Sequence, residues 1–153
     1  LDMGISLKDI LEYAVQMEIK EYRFYSLLKE IVKEEKFKKF FRQLYEEEVK
    51  HRLSLEKLQD KVKENQDLLV GSPEYEVYLR ALVGEDSFPY QRDNSLSLEE
   101  ILKEAIELEK DSVLFFTQMK NFFPFSLEII EGILEEEKLH LAKLSAEKLR
   151  LSS

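Results

Sequence analysis

The chain has 153 residues, no cysteine and a formal net charge of −9, which excludes disulfides and thiolate metal sites and argues against nucleic acid or an anionic membrane as the main partner. About 44% of the residues are hydrophobic and 36% charged, with only four Gly and three Pro, a balance that suits one all-helical domain over residues 1–153 with a sizeable core. No apolar run approaches the roughly 18 residues of a membrane-spanning helix and no signal-peptide pattern is visible, so a cytoplasmic protein is expected.

The first helix is expected from Leu7 to Ile31, with Ser6 as its N-cap and Asp9 completing a box-like start. Leu7, Leu11, Ala14, Glu18, Glu21, Tyr25 and Leu28 fall on one 4-3 stripe. The second helix is expected from Phe37 to Glu64 after a short turn near Glu34. Its stripe is Phe41, Leu44, Glu48, His51, Leu55, Leu58 and Val62.

A long segment follows, from Asn65 to Ser95. It carries Gly71, Pro73, Gly84 and Pro89, and a short helical piece over Glu74–Val83. The third long helix is expected from Leu98 to Phe122, capped by Ser97 with Glu100. Leu98, Leu102, Ala105, Glu109, Ser112, Phe116 and Met119 form its stripe. A tight link near Phe123–Phe125 leads to the fourth, capped by Ser126, with the stripe Ile130, Ile133, Glu137, His140, Leu144 and Leu151. Short links make antiparallel neighbours, and a long crossover lets a second hairpin start in the right direction. The pattern predicts a four-helix bundle of two antiparallel hairpins.

The two hairpins are one hairpin written twice. At an offset of 91, Ser6, Leu7, Ile10, Leu11, Ala14, Glu18 and Phe24 meet Ser97, Leu98, Ile101, Leu102, Ala105, Glu109 and Phe115. At an offset of 89, Glu46, Glu47, Glu48 and His51 meet Glu135, Glu136, Glu137 and His140.

Six polar residues sit where the periodicity puts the interior: Glu18, Glu48, His51, Glu109, Glu137 and His140. Buried bare charge costs several kcal/mol per ion even after relaxation. Two divalent cations would balance the four carboxylates. Glu-x-x-His places an oxygen and a nitrogen on one helix face, one turn apart. Two such helices, with one Glu from each of the other two, make the carboxylate-bridged dimetal arrangement. Carboxylate with imidazole suits iron, manganese or zinc. The competing readings are a solvated face, because Glu46–Glu48 and Glu135–Glu137 are charge runs, and a site that has kept the fold and lost the metal.

The chain resembles the rubrerythrin-like branch of the ferritin-like superfamily. The carriers are Met17–Tyr25, where Glu18 precedes an aromatic by seven residues, Glu109 with Phe116 at the same spacing, and the motifs Glu48-x-x-His51 and Glu137-x-x-His140. The resemblance implies a ferritin-like fold and two iron ions held by these six residues. It further implies oxygen or peroxide chemistry: ferroxidation, peroxide reduction or iron handling. These residues include no cysteine to build a rubredoxin-like iron centre, so electrons are expected to come from another protein or from Fe(II) itself.

Relatives of this kind carry an extra Glu three residues after the ligand of the third long helix, where this chain has Ser112. The matching position in the first helix is Glu21. It is either an additional mobile or outer carboxylate of the site, or a surface-edge residue paired with Lys20 or Lys29; the charged neighbours favour the surface. Tyr22, Tyr25, Tyr45, Phe24, Phe115 and Phe116 also gather near the site. Ordinary aromatic packing is their expected role, a hydrogen bond or electron from a Tyr the sharper one.

The first expectation is a peroxidase or oxidase acting on a small oxidant as a homodimer, with an external electron-donor protein. The second is iron binding or storage, which for storage needs a large closed oligomer. The third is a non-catalytic, partner-binding bundle.

Overall fold

The computed structural model describes residues 4–62, 69–84, 96–122 and 127–153. In chain order these form β1 (Ile5–Ser6), α1 (Leu7–Ile31), α2 (Glu35–Val62), β2 (Leu69–Gly71), α3 (Pro73–Val83), α4 (Leu98–Phe122) and α5 (Leu127–Ser152). The four long helices are those expected. α1 lies along α2, and α4 along α5.

Local chemistry sets the helix starts. Ser6 Oγ accepts from Asp9 N at 3.1 Å while Asp9 Oδ2 accepts from Ser6 N, so the expected box is complete. Ser97 Oγ likewise accepts from Glu100 N at 3.1 Å. α2 starts at Glu35, two residues before the expected Phe37, because Glu35 and Lys36 are good helix formers that carry no apolar mark. Its expected end at Glu64, the link Phe123–Phe125, the Ser126 cap, and crossover positions 65–68 and 85–95 lie outside the described residues.

The described part of the crossover contains the expected short helix, α3, with Ser72 as its N-cap and Pro73 in the first turn. α3 packs against α1 and α4. Lys20 Nζ donates to Val83 O at 2.8 Å, satisfying a carbonyl at the end of α3. The antiparallel pairing of β1 with β2, Ile5 opposite Gly71, was not expected from the sequence. Gly4 makes the approach to it, with φ of 97°; a Cβ there would lie 2.3 Å from Gly71 O.

The apolar core is divided in two. One block gathers Leu11, Ala14, Met17, Leu55, Leu58, Phe115, Phe116, Met119, Ile130 and Ile133. The other gathers Phe24, Tyr25, Leu28, Phe41, Leu44, Leu102, Ala105 and Leu144. In every long helix the polar stripe residues fall between the two blocks: Glu18 and Glu21 between Met17 and Phe24, Glu48 and His51 between Leu44 and Leu55. Ser112 and Glu109 lie between Leu108 and Phe115, and Glu137 and His140 between Leu134 and Leu144. The fold therefore holds a polar layer at mid-height, sealed above and below by apolar side chains.

Candidate metal centre

Glu18, Glu48, Glu109 and Glu137 are fully buried, and His51 and His140 are 3% and 1% exposed. The six expected residues come together as two overlapping groups. Glu18, Glu48, His51 and Glu137 form one; Glu48, Glu109, Glu137 and His140 form the other. Within each group, one ligand atom per residue lies within 4.8 Å of the rest. Glu48 and Glu137, the glutamates of the two Glu-x-x-His motifs, belong to both.

Each histidine presents Nδ1 to the interior. His51 Nδ1 lies 3.0 Å from Glu137 and 3.5 Å from Glu18; His140 Nδ1 lies 2.8 Å from Glu48 and 3.7 Å from Glu109. These approaches are close in distance and poor in direction, so neither Nδ1 has a hydrogen-bond partner. The other ring nitrogen is held from outside. His51 Nε2 meets Glu136 Oε2, and His140 Nε2 meets Glu47 Oε2. A carboxylate there can accept a proton held on Nε2, and once Nδ1 is deprotonated, as a metal ligand must be, its lone pair faces the interior. The residue before each motif glutamate thus orients the histidine of the opposite helix. Sequence reasoning did not name these partners.

Glu21 is fully buried, and neither of its oxygens has a hydrogen-bond partner. The surface-edge reading is therefore overturned. Lys20 has turned to the end of α3 and Lys29 pairs with Glu30, while Glu21, one turn after Glu18, points inward at Glu48 and Glu137. Its counterpart Ser112 is also buried with an unpartnered Oγ. Tyr25, expected to serve in packing, also donates to Glu109 Oε1 at 2.6 Å and stacks on Phe41. Tyr22 and Tyr45 do pack edge to face, with Arg52 donating to Tyr22. The position matching Tyr25 in the second hairpin is Phe116, so Glu18 lacks the hydroxyl that Glu109 receives.

The electrostatics show a pocket short of positive charge. Burial, and then the Glu137 charge, push Glu18 up to about 7. Burial first and the crowd of carboxylates second hold Glu21, Glu48 and Glu109 well above the usual range. Glu137 goes the other way: burial pushes it up, but the close approach of His51, and then of Glu109, Glu21 and Glu48, outweighs this and holds it well below the usual range. Burial would lower His51, yet Glu137 and Glu18 raise it to about 12. Carboxyls crowded in this way hold their protons more tightly than free ones, and cations bound among them would displace those protons.

The donor set fits two metal ions. Among these six residues the orphaned buried atoms are both oxygens of Glu18, Glu48 and Glu137, Glu109 Oε2, His51 Nδ1 and His140 Nδ1. A native interior rarely leaves so many polar atoms unsatisfied in one place unless something binds them. They are oxygens and imidazole nitrogens with no sulfur, a set that takes iron, manganese or zinc.

The sequence profile of the rubrerythrin family matches residues 9–148. A solved structure from Thermotoga maritima, provisionally described as a ferritin-like diiron-carboxylate protein, shares 27% identity with the chain at a TM-score of 0.77, with both chains covered in full. No curated protein matches. Among the described residues, no helix is long and apolar enough to cross a membrane.

Proposed function

Because this chain belongs to the rubrerythrin family, we propose that it holds two iron ions and reduces a small oxidant, peroxide or O2, with electrons delivered by an external donor protein. The observation that carries the reading is the pair of ligand groups sharing Glu48 and Glu137, whose inward-facing atoms lack any partner in the protein.

The residues divide the work. Glu18 and His51 would hold one ion, Glu109 and His140 the other, and Glu48 and Glu137 both. Bound as a pair, iron would supply the two electrons that convert a peroxide to water or take up O2. Glu47 and Glu136 keep each imidazole in the tautomer that offers Nδ1 inward. Tyr25 fixes one oxygen of Glu109 and leaves the other free. Glu21 faces the shared carboxylates and is placed to accept charge or a proton as they shift. The apolar blocks on either side exclude bulk water and strengthen each electrostatic contact within.

Anaerobic Fe(II) titration tests this: binding should saturate at two ions per chain, and peroxide should then produce a ferric charge-transfer band. Neither saturation nor band would end the proposal. Mass in solution separates the redox reading from storage, since a dimer suffices for the first and a closed cage is needed for the second.

A further inference from the structure

The polar layer is approached from solvent beside one histidine. A cleft of about 380 Å³ lies between α2 and α5, with Glu47, Lys50 and His51 on one wall and Glu128, Gly132 and Glu136 on the other. Its inner end is the buried ring of His51, held by Glu136.

The duplicated hairpins differ at this point. Gly132 in α5 corresponds, at the offset of 89, to Gln43 in α2. The Gln43 amide donates to Glu47 Oε1 at 3.4 Å and helps cover the carboxylate that holds His140. Glu47 is 26% exposed in its side chain, against 52% for Glu136.

The helix does not need a glycine at 132. Gly132 lies in the interior of α5, where glycine is less favourable than alanine. It does not have a positive φ, and a Cβ there would meet no heavy atom within 4 Å among the described residues. What the missing side chain leaves is the open space of the cleft.

The geometry points to this cleft as the port through which a divalent cation reaches the two ligand groups, with Gly132 keeping it open. The inference rests on the two-metal reading above. Glu47, Glu128 and Glu136 outnumber Lys50, so the walls attract a cation and repel an anion. Glu136 is half in solvent and already touches His51, so the last carboxylate of the port is also the first contact of the site.

The test is stopped-flow uptake of Co(II) by the metal-free full chain, read by the visible absorption of the bound ion. Gly132→Gln installs the residue of the mirror position, Gly132→Leu is a second plug, and Gly132→Ala leaves the space open. Uptake should slow by about tenfold or more in both plugged variants, stay within about twofold in Gly132→Ala, and reach two Co(II) per chain at equilibrium in all. Far-UV helicity should hold, because each replacement is a better helix former than glycine. If Gly132→Gln binds two Co(II) at the wild-type rate, or if Gly132→Ala slows equally, the port is overturned and the metal reading stands. If the wild-type chain fails to take up two Co(II), the metal reading falls and the port falls with it.

Discussion

Glu136 on α5 holds the Nε2 of His51 on α2, and the pseudo-symmetric pair, Glu47 with His140, returns the contact across the same gap. Each Glu-Glu-x-x-His sequence therefore supplies a shared ligand with its second glutamate and orients the other helix's histidine with its first. Replacing such an outer partner commonly weakens metal binding by about 10–100-fold. Glu136→Gln and Glu47→Gln are each expected to lower affinity within that range while keeping two ions per chain, measured by Co(II) competition against a chelator. Wild-type affinity in both would show the contacts to be incidental.

Tyr25 fixes Glu109, while Phe116 at the matching position offers Glu18 no hydroxyl. Tyr25→Phe removes the 2.6 Å hydrogen bond and leaves a buried carboxyl oxygen without its donor. A loss of about 1–3 kcal/mol in metal-free stability is expected, read from urea unfolding with an unchanged m-value. The ring keeps its stacking on Phe41, so an unchanged midpoint would mean that the hydroxyl contributes nothing beyond packing.

The core stripe made Glu18, Glu48, His51, Glu109, Glu137 and His140 visible, because a charged residue at an interior register is conspicuous and the repeat presents each one twice. The starts of α1 and α4 were legible for a related reason: Ser6 with Asp9 and Ser97 with Glu100 are local signals that tertiary packing had no cause to override. β1 and β2 were not legible, since strands of two and three residues carry no measurable period. Glu21 was misjudged because Lys20 and Lys29 suggested a surface; its spacing from Glu18 was the better guide, since Lys20 could reach α3 instead. Glu47 and Glu136 looked like parts of charge runs, and their partners became definable only once α2 and α5 were placed together. The one available signal was that both halves repeat Glu-Glu-x-x-His.

Glu21 breaks the symmetry, and its removal should separate stability from binding. Its buried carboxyl is held well above the usual range by burial first and by Glu137 next. Glu21→Gln preserves the shape and removes the ionisable group. The metal-free variant is expected to be more stable than wild type at pH 8, by about 1–3 kcal/mol, while its affinity for a second Co(II) falls. A variant that is less stable at pH 8, or that binds both ions at least as tightly, would contradict the placement of Glu21 as a charge held in reserve for the site.

The metal-free protein should lose stability as pH rises from about 5.5 to 8.5, the reverse of a protein held by exposed salt bridges. Glu18 keeps its proton up to about 7 when folded, and near 4.5 is its ordinary value. Glu21, Glu48 and Glu109 are also raised, by burial foremost. In this window the folded state binds more protons than the unfolded state, so stability falls as pH rises. His51 acts in the same sense above its ordinary 6.5, because Glu137 and Glu18, against the effect of burial, hold its proton to about 12 while the unfolded chain has released it. Glu137 acts oppositely, since burial is outweighed by the closeness of His51 and the neighbouring carboxyls and it is lowered, but its contribution is complete once the unfolded carboxylate has ionised, below this window. Metal ligands must be deprotonated, so the metal-bound form should gain where the metal-free form loses. Thermal unfolding at pH 5.5, 7 and 8.5, with and without saturating Co(II), reads both effects. The metal-free Tm should fall by several degrees, at about 2–4 °C for each kcal/mol lost in a chain of this size, and the rise on adding Co(II) should widen at each step. A metal-free Tm that climbs through this range would mean that the buried carboxylates find their counter-charge within the protein.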